Sequence, residues 1–164
     1  MNISAKIRIG LILLIGLPSF LGIGLIVANQ LNQLSLQDDF IRVQPVIIDR
    51  ATFDTSSKDA FEFLLVELDG DLLRIEISFI GSHSNHYFEL IGSGEFMESC
   101  PIQTTFILSH DSNGDVGETL ITKKLIFDLK PLKETFFSIY SFFSPENISL
   151  QINLEGYGEI IYIM

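Results

Sequence analysis

The chain is short of the residues that staple small proteins together. It has one cysteine, Cys100, so no disulfide can form within it and the folded part must rest on an apolar core. A lone cysteine reads as a small buried hydrophobe. Tryptophan is absent, while phenylalanine occurs 14 times, which suits an aromatic-rich β core. Positive charge is scarce as well. Ten Lys and Arg stand against 21 Asp and Glu, a net of −11. No acid precedes Asp38, so the residues after Ala28 hold eight of the bases and all of the acids, a net of −13. Such a surface repels phosphate backbones and anionic lipid headgroups, which excludes a nucleic-acid-binding role. It reads instead as a solubilising exterior.

Catalytic motifs are missing too. There is no Gly-x-Ser-x-Gly elbow, and Gly92-Ser93-Gly94 reads as a turn. No phosphate-binding loop occurs. Carboxylate pairs such as Glu62 with Glu67, or Asp69 with Asp71, fall where solvated strand faces and turns are expected. No enzymatic role, no catalytic residue and no cofactor-binding residue is expected.

What is present begins with Ile9–Ala28, an uncharged run of 20 residues in a chain of positive mean hydropathy. As a helix it spans roughly 30 Å, the thickness of a bilayer's hydrocarbon core. Backbone in lipid must satisfy its own hydrogen bonds, so the run predicts a transmembrane helix, kinked at Pro18. Lys6 and Arg8 precede it and Asp38 and Asp39 follow it, which places residues 1–8 in the cytoplasm and the C-terminal part outside. A cleaved signal peptide ending at Ile26-Val27-Ala28 is the rival, although the run exceeds the usual length of about 7–15 residues. Residues 29–39 make a polar linker or helix extension, and residues 40–164 one extracytoplasmic domain.

That domain is dominated by alternation with a period of two. Leu73, Ile75, Ile77 and Phe79 alternate with Arg74, Glu76 and Ser78, and Ile148, Leu150, Ile152 and Leu154 alternate with polar residues. Asp69-Gly70 and Asn113-Gly114 tolerate positive φ and predict tight hairpins, the second joining strands at 104–109 and 119–129. Other strands are expected over 42–53, 61–68, 86–92, 135–143 and 159–163, with a turn at Pro145-Glu146-Asn147 and no strong amphipathic helix between them. The fold class is mainly β, an antiparallel β-sandwich or jelly roll of about eight strands behind one N-terminal helix. The last strand, Ile160–Met164, packs in the core or pairs with a neighbouring chain.

Residues 68–81, LDGDLLRIEISFIG, with residues 134–158, ETFFSIYSFFSPENISLQINLEGYG, resemble extracytoplasmic jelly-roll modules of the GOLD and pre-peptidase C-terminal type. The shared traits are a Gly-Asp turn before an alternating strand, a late aromatic strand, a polar turn and a final alternating strand. The late strand departs from the pattern, reading Lys133-Glu134-Thr135-Phe136 where Gly-Tyr is expected. The resemblance implies a non-catalytic binding or accessory domain and carries over no functional residue.

Asp111, Asn113, Asp115 and Glu118 concentrate oxygen donors in one turn and form a candidate Ca²⁺ loop. The EF-hand pattern fails there, because Val116 and Thr122 stand where Gly and a bidentate Glu are required. The alternative is a loop tip of ordinary turn-forming residues. His83, His86 and His110 are the only histidines and read as exposed loop residues. A zinc site would need Cys100 or Asp111 brought beside them. Asn147-Ile148-Ser149 is a glycosylation sequon that fits an outside location.

The leading expectation is a membrane-anchored binding or accessory module in a surface or membrane complex. Its partners would be lipid through residues 9–28, other membrane or surface proteins, and copies of itself as a homo-oligomer. The alternative is a pilin-like filament subunit. Lys6-Ile7-Arg8-Ile9-Gly10 before Leu11 is similar to a prepilin processing site, but Ile15 stands where glutamate is expected.

Overall fold

The computed structural model describes residues 42–82, 86–141 and 148–164. The apolar run 9–28, its flanks 1–8 and 29–39, His83 and the turn and sequon at Pro145–Asn147 lie outside them. Among the described residues no helix is long and apolar enough to cross a membrane.

Two sheets enclose one core. The first has the strand order β1-β7-β4-β3, with β1 Val43–Pro45, β3 Glu62–Asp69, β4 Leu72–Gly81 and β7 Thr119–Asp128. The second runs β2-β5-β6-β8-β9, with β2 Ile47–Ile48, β5 Tyr87–Gly92, β6 Ile102–Asp111, β8 Ser149–Leu154 and β9 Gly158–Ile163. The alternation on β4 sends Leu73, Ile75, Ile77 and Phe79 inward, and on β8 it buries Leu150, Ile152 and Leu154. The core thus joins residues of both sheets, with Phe106, Phe127 and Tyr162 among its largest members.

The mainly β expectation holds, but the purely antiparallel one does not. Three ladders are parallel: β1 with β7, β2 with β5, and β6 with β8. The β3–β4 hairpin is as expected. It closes on Asp69 opposite Leu72, and Gly70 takes φ +58° in the turn. Asn113-Gly114 is not a hairpin tip, because β6 and β7 belong to different sheets. Its positive φ angles, +52° and +73°, serve a crossing between layers instead.

Two expected strands contain helices. Residues 42–53 break into β1, β2 and the start of helix α1, Arg50–Thr55. Asp49 caps α1 by accepting from the Thr52 amide at 2.7 Å. The second is α2, Lys130–Ile139, with Pro131 in its first turn. Leu132 and Phe136 stand four apart and are both fully buried, while Glu134 is exposed. A spacing of four beats the apparent alternation of Thr135–Phe143 because it gives the segment one apolar face for the core. Cys100, expected inside, is exposed.

Between α1 and β3, residues 56–61 form a strap that runs beside the C-terminal end of β6, beyond the reach of β8. Ser57 O accepts from His110 N at 3.1 Å and from Ser109 Oγ at 3.1 Å, and Asp59 N donates to His110 O at 3.0 Å. The strap brings the backbone of Asp59 to the histidine described next.

Candidate functional site: a buried histidine pair and a carboxylate

Two of the three histidines sit in the interior. His110 belongs to the inward-facing series Phe106, Leu108, His110 on β6. His86 precedes β5 in the series His86, Phe88, Leu90. Phe88 pairs with His110 across the antiparallel ladder, so His86 lies diagonally across the same face, within side-chain reach. The ring centroids are 5.0 Å apart and the planes are inclined by 25°. Phe88 stacks on His110 at 4.3 Å, and Phe79 lies 4.5 Å from His86. The expectation of exposed loop histidines is therefore corrected for these two. Continuing the period of two by one step beyond each apolar strand was the signal that would have placed them inside.

The rings form one link of a chain of short contacts. His86 Nδ1 lies 2.7 Å from His110 Nε2. His86 Nε2 lies 2.9 Å from Asp115 Oδ2, and both side chains are almost fully buried, at 2% and 4% exposure. At the other end, His110 Nδ1 lies 3.2 Å from the Asp59 carbonyl oxygen. Burial, reinforced by His86 alongside, moves the His110 pKa below the ordinary histidine value, against the pull of the Asp59 carbonyl.

Asp115 reaches this position because its loop folds back onto the end of β4. Its carboxylate accepts from Ser82 N at 2.6 Å, Ser82 Oγ at 2.9 Å and Gly117 N at 2.8 Å. Two glycines make the approach feasible. A Cβ on Gly117 would lie 2.2–2.4 Å from backbone atoms of Gly81 and Ser82. A Cβ on Gly81 would meet His86 Nε2 at 2.9 Å and Asp115 Oδ2 at 3.1 Å.

The candidate Ca²⁺ loop is arranged differently from a cation cradle. Asp115 is turned inward to His86, whereas the Asp111 carboxylate accepts from Asn113 N at 2.8 Å within the turn. Asn113 and Glu118 are exposed. Among the described residues no group of three or more His, Cys, Asp or Glu side chains is placed to hold a metal ion. Cys100 and Asp111 do not join the histidines. Asp59 Oδ2 accepts from Ser112 N at 2.7 Å, and the hydrogen bonds from Ser112 lower the Asp59 pKa.

The strap separates two cavities. One, of about 520 Å³, is lined by Asp59, Phe61, Glu62, Ile80, His110 and Asp115. The other, of about 640 Å³, lies against Lys58, Phe61, Phe63, Ile107, Glu155 and Tyr157. Phe61 and Phe63 meet edge to face at 5.0 Å, and Phe63 meets Tyr157 at 5.6 Å.

No family model and no curated protein matches the chain. Solved structures do. A NigD-like immunity protein from Bacteroides caccae superposes with a TM-score of 0.52 at 15% identity, covering 73% of this chain and 58% of that one. A DUF1344 protein of unknown function from Bacteroides vulgatus gives 0.47 at 17% identity, over 76% and 56%. A toxin-related protein from Parabacteroides distasonis gives 0.47 at 18%, over 74% and 60%. The chain spans less than two thirds of the length of each. The first likeness is one of fold alone, and the other two are too slight to argue from. None of the three is described as a GOLD or pre-peptidase C-terminal module, the families that residues 68–81 and 134–158 resemble.

Proposed function

We propose that the protein is a membrane-anchored extracytoplasmic β-sandwich that serves as a binding or accessory module in a surface or membrane complex. The observation that carries this reading is the outer edge of β9. Among the described residues no strand pairs with that edge. Ile161 and Ile163 stand exposed beside it, at 50% and 63%, while Tyr162 between them is fully buried. An unpaired edge offers a row of N–H and C=O groups to an incoming strand, and exposed branched side chains give that strand something to pack on. Edges that must stay unpaired usually carry charged residues, Pro or a bulge. β9 has neither Pro nor a bulge, and its one charge, Glu159, stands at the start of the strand, away from Ile161 and Ile163. The proposed occupant is an extended segment of another protein held in the same membrane. Tethering through residues 9–28 would confine both to two dimensions and raise their effective concentration, so a modest interface suffices.

Two measurements test this on the full-length chain in membranes. N-terminal sequencing of the mature protein should find Met1 retained. Leu11 as first residue would replace the anchor by prepilin-type processing, and Asn29 would make the domain a secreted one. A photoreactive residue at position 161 should crosslink to a distinct membrane protein, and a control at Glu134 on α2 should not. Equal yields at both positions, or crosslinks only between copies of this chain, would overturn the assignment of the edge.

A further inference from the structure

The Asp115–His86–His110–Asp59 chain contains three short contacts, and each needs one proton between its two heavy atoms. The outer atoms, a carboxylate oxygen of Asp115 and the carbonyl oxygen of Asp59, are acceptors. Two neutral imidazoles supply only two N–H groups. With neutral rings, one contact must therefore bring two lone pairs face to face. If the outer contacts keep their protons, that unfavourable contact is the 2.7 Å approach of His86 Nδ1 to His110 Nε2. A third proton removes the conflict.

We infer that the buried cluster holds this third proton at neutral pH, as a His86 imidazolium that donates from Nε2 to Asp115 and from Nδ1 to a neutral His110. His110 is then the Nδ1–H tautomer and donates to the Asp59 carbonyl. The neighbourhood selects this arrangement over its rivals. Asp115 accepts three further hydrogen bonds, two from Ser82 and one from Gly117, and these favour the carboxylate over the acid. A carboxylate that deeply buried favours a cation in contact with it, and the atom in contact is His86 Nε2. His110 faces a carbonyl rather than a carboxylate, and its depressed pKa agrees with a ring that stays neutral beside a charged one.

Other charged groups surround the pair. On the strap, Lys58 bridges to His110 through its backbone, and the Asp59 carboxylate is held by Ser112. Glu62 at the start of β3 lines the cavity that His110 and Asp115 also line. Lys123 on β7 places Nζ 3.5 Å from the His86 carbonyl oxygen and 5.3 Å above the Phe88 ring. Asp111 pairs with Tyr87 in the ladder and is exposed.

The consequence is a proton-dependent pin. It ties the strap to β6, β6 to the residue just before β5, and that residue to the β6–β7 loop. Loss of the proton leaves the series one hydrogen bond short and sets the buried carboxylate against a neutral ring. The strap that divides the two cavities is the element whose anchorage changes.

The test is nitrogen NMR of the imidazole side chains in the full-length chain, held in detergent micelles and titrated from about pH 5 to about pH 10. At neutral pH, one buried ring should show both nitrogens protonated and the other should show Nδ1–H alone, with the doubly protonated ring assigned to His86. Replacement of Asp115 by Asn (Asp115→Asn) should weaken retention of the extra proton at least about tenfold, one pH unit. Two singly protonated rings at neutral pH would overturn the inference. So would assignment of the extra proton to His110, or an unchanged titration in Asp115→Asn. The wild-type spectra decide the matter even where that variant fails to fold. Stoichiometric zinc in the purified chain would also overturn it, because a metal would then lie between the facing nitrogens.

Discussion

Tyr162 Oη donates to Asp71 Oδ1 at 2.7 Å, joining the last strand of one sheet to the hairpin turn of the other across 91 positions of sequence. The tyrosine is fully buried among core residues. Burial, with the carboxylate of Asp71 second, raises its pKa above the ordinary tyrosine value. Because the folded value is the higher one, the associated stability is complete below about pH 10 and declines as the pH rises beyond it. Replacing Tyr162 with Phe should cost roughly 1.5–3 kcal/mol, the range for a hydrogen bond to a charged acceptor. It should also remove this alkaline decline. Chemical denaturation of both proteins at neutral and alkaline pH measures both effects.

Gly117→Ala addresses the contact on which the buried cluster depends. Its Cβ would overlap the Gly81 and Ser82 backbone, so the loop must move. A destabilisation of about 1–3 kcal/mol or more is expected. The His86 ring signals should shift with it, since Asp115 is carried by the same loop. Gly114→Ala is the contrast, because nothing lies within 4 Å of its Cβ and only the positive φ resists the change. A Gly117→Ala protein as stable as the wild type would contradict the described packing of this loop.

Phe136→Ala tests helix α2. The ring is fully buried and meets Phe96 and Phe137 edge to face at 5.4 Å each. Removing it should cost about 3–5 kcal/mol. Ser138→Ala, on an exposed part of the helix, should cost far less. Were residues 130–139 a strand, Phe136 and Ser138 would share a face, and their substitutions would not differ by burial in this way.

Acid should weaken the fold. His110 has a lower pKa folded than unfolded, so the folded state resists protonation of this ring. The stability tied to it is present above about pH 6.5 and is lost as the pH falls through the folded value. His110→Phe, which retains a flat ring against Phe88, should flatten the acid limb of the stability profile. A profile unchanged in that variant would show that His110 is not responsible.

The β content was legible because the period of two is a direct print of which face is buried. β4 and β8 follow it residue for residue. What misled was the same rule applied beyond its reach. Near Phe136 the aromatic residues are dense enough to fit both periods, and only the four-residue spacing of Leu132 and Phe136, with Pro131 ahead of them, favours the helix. Asn113-Gly114 has hairpin chemistry, but turn residues specify local φ angles and do not say which sheet the next strand enters. The parallel ladders were illegible for a related reason, since sequence records a strand's faces and not its neighbours. His86 and His110 read as exposed because polar side chains usually are. Each sits one alternation step beyond an apolar pair, and their compensation comes from Asp115, which is remote in sequence. Asp115 reads in the sequence as one donor of a candidate Ca²⁺ loop, and nothing local to that loop signals its turn inward to His86.

The six residues Val43–Ile48 have a mechanical consequence. Val43–Pro45 bond to β7 in one sheet and Ile47–Ile48 to β5 in the other, with Val46 buried between them. Tension applied to the chain ahead of Val43 would thus be divided between both layers within a few residues, rather than peeling one strand from one edge. A domain loaded from its leading end is braced at the point where the pull arrives.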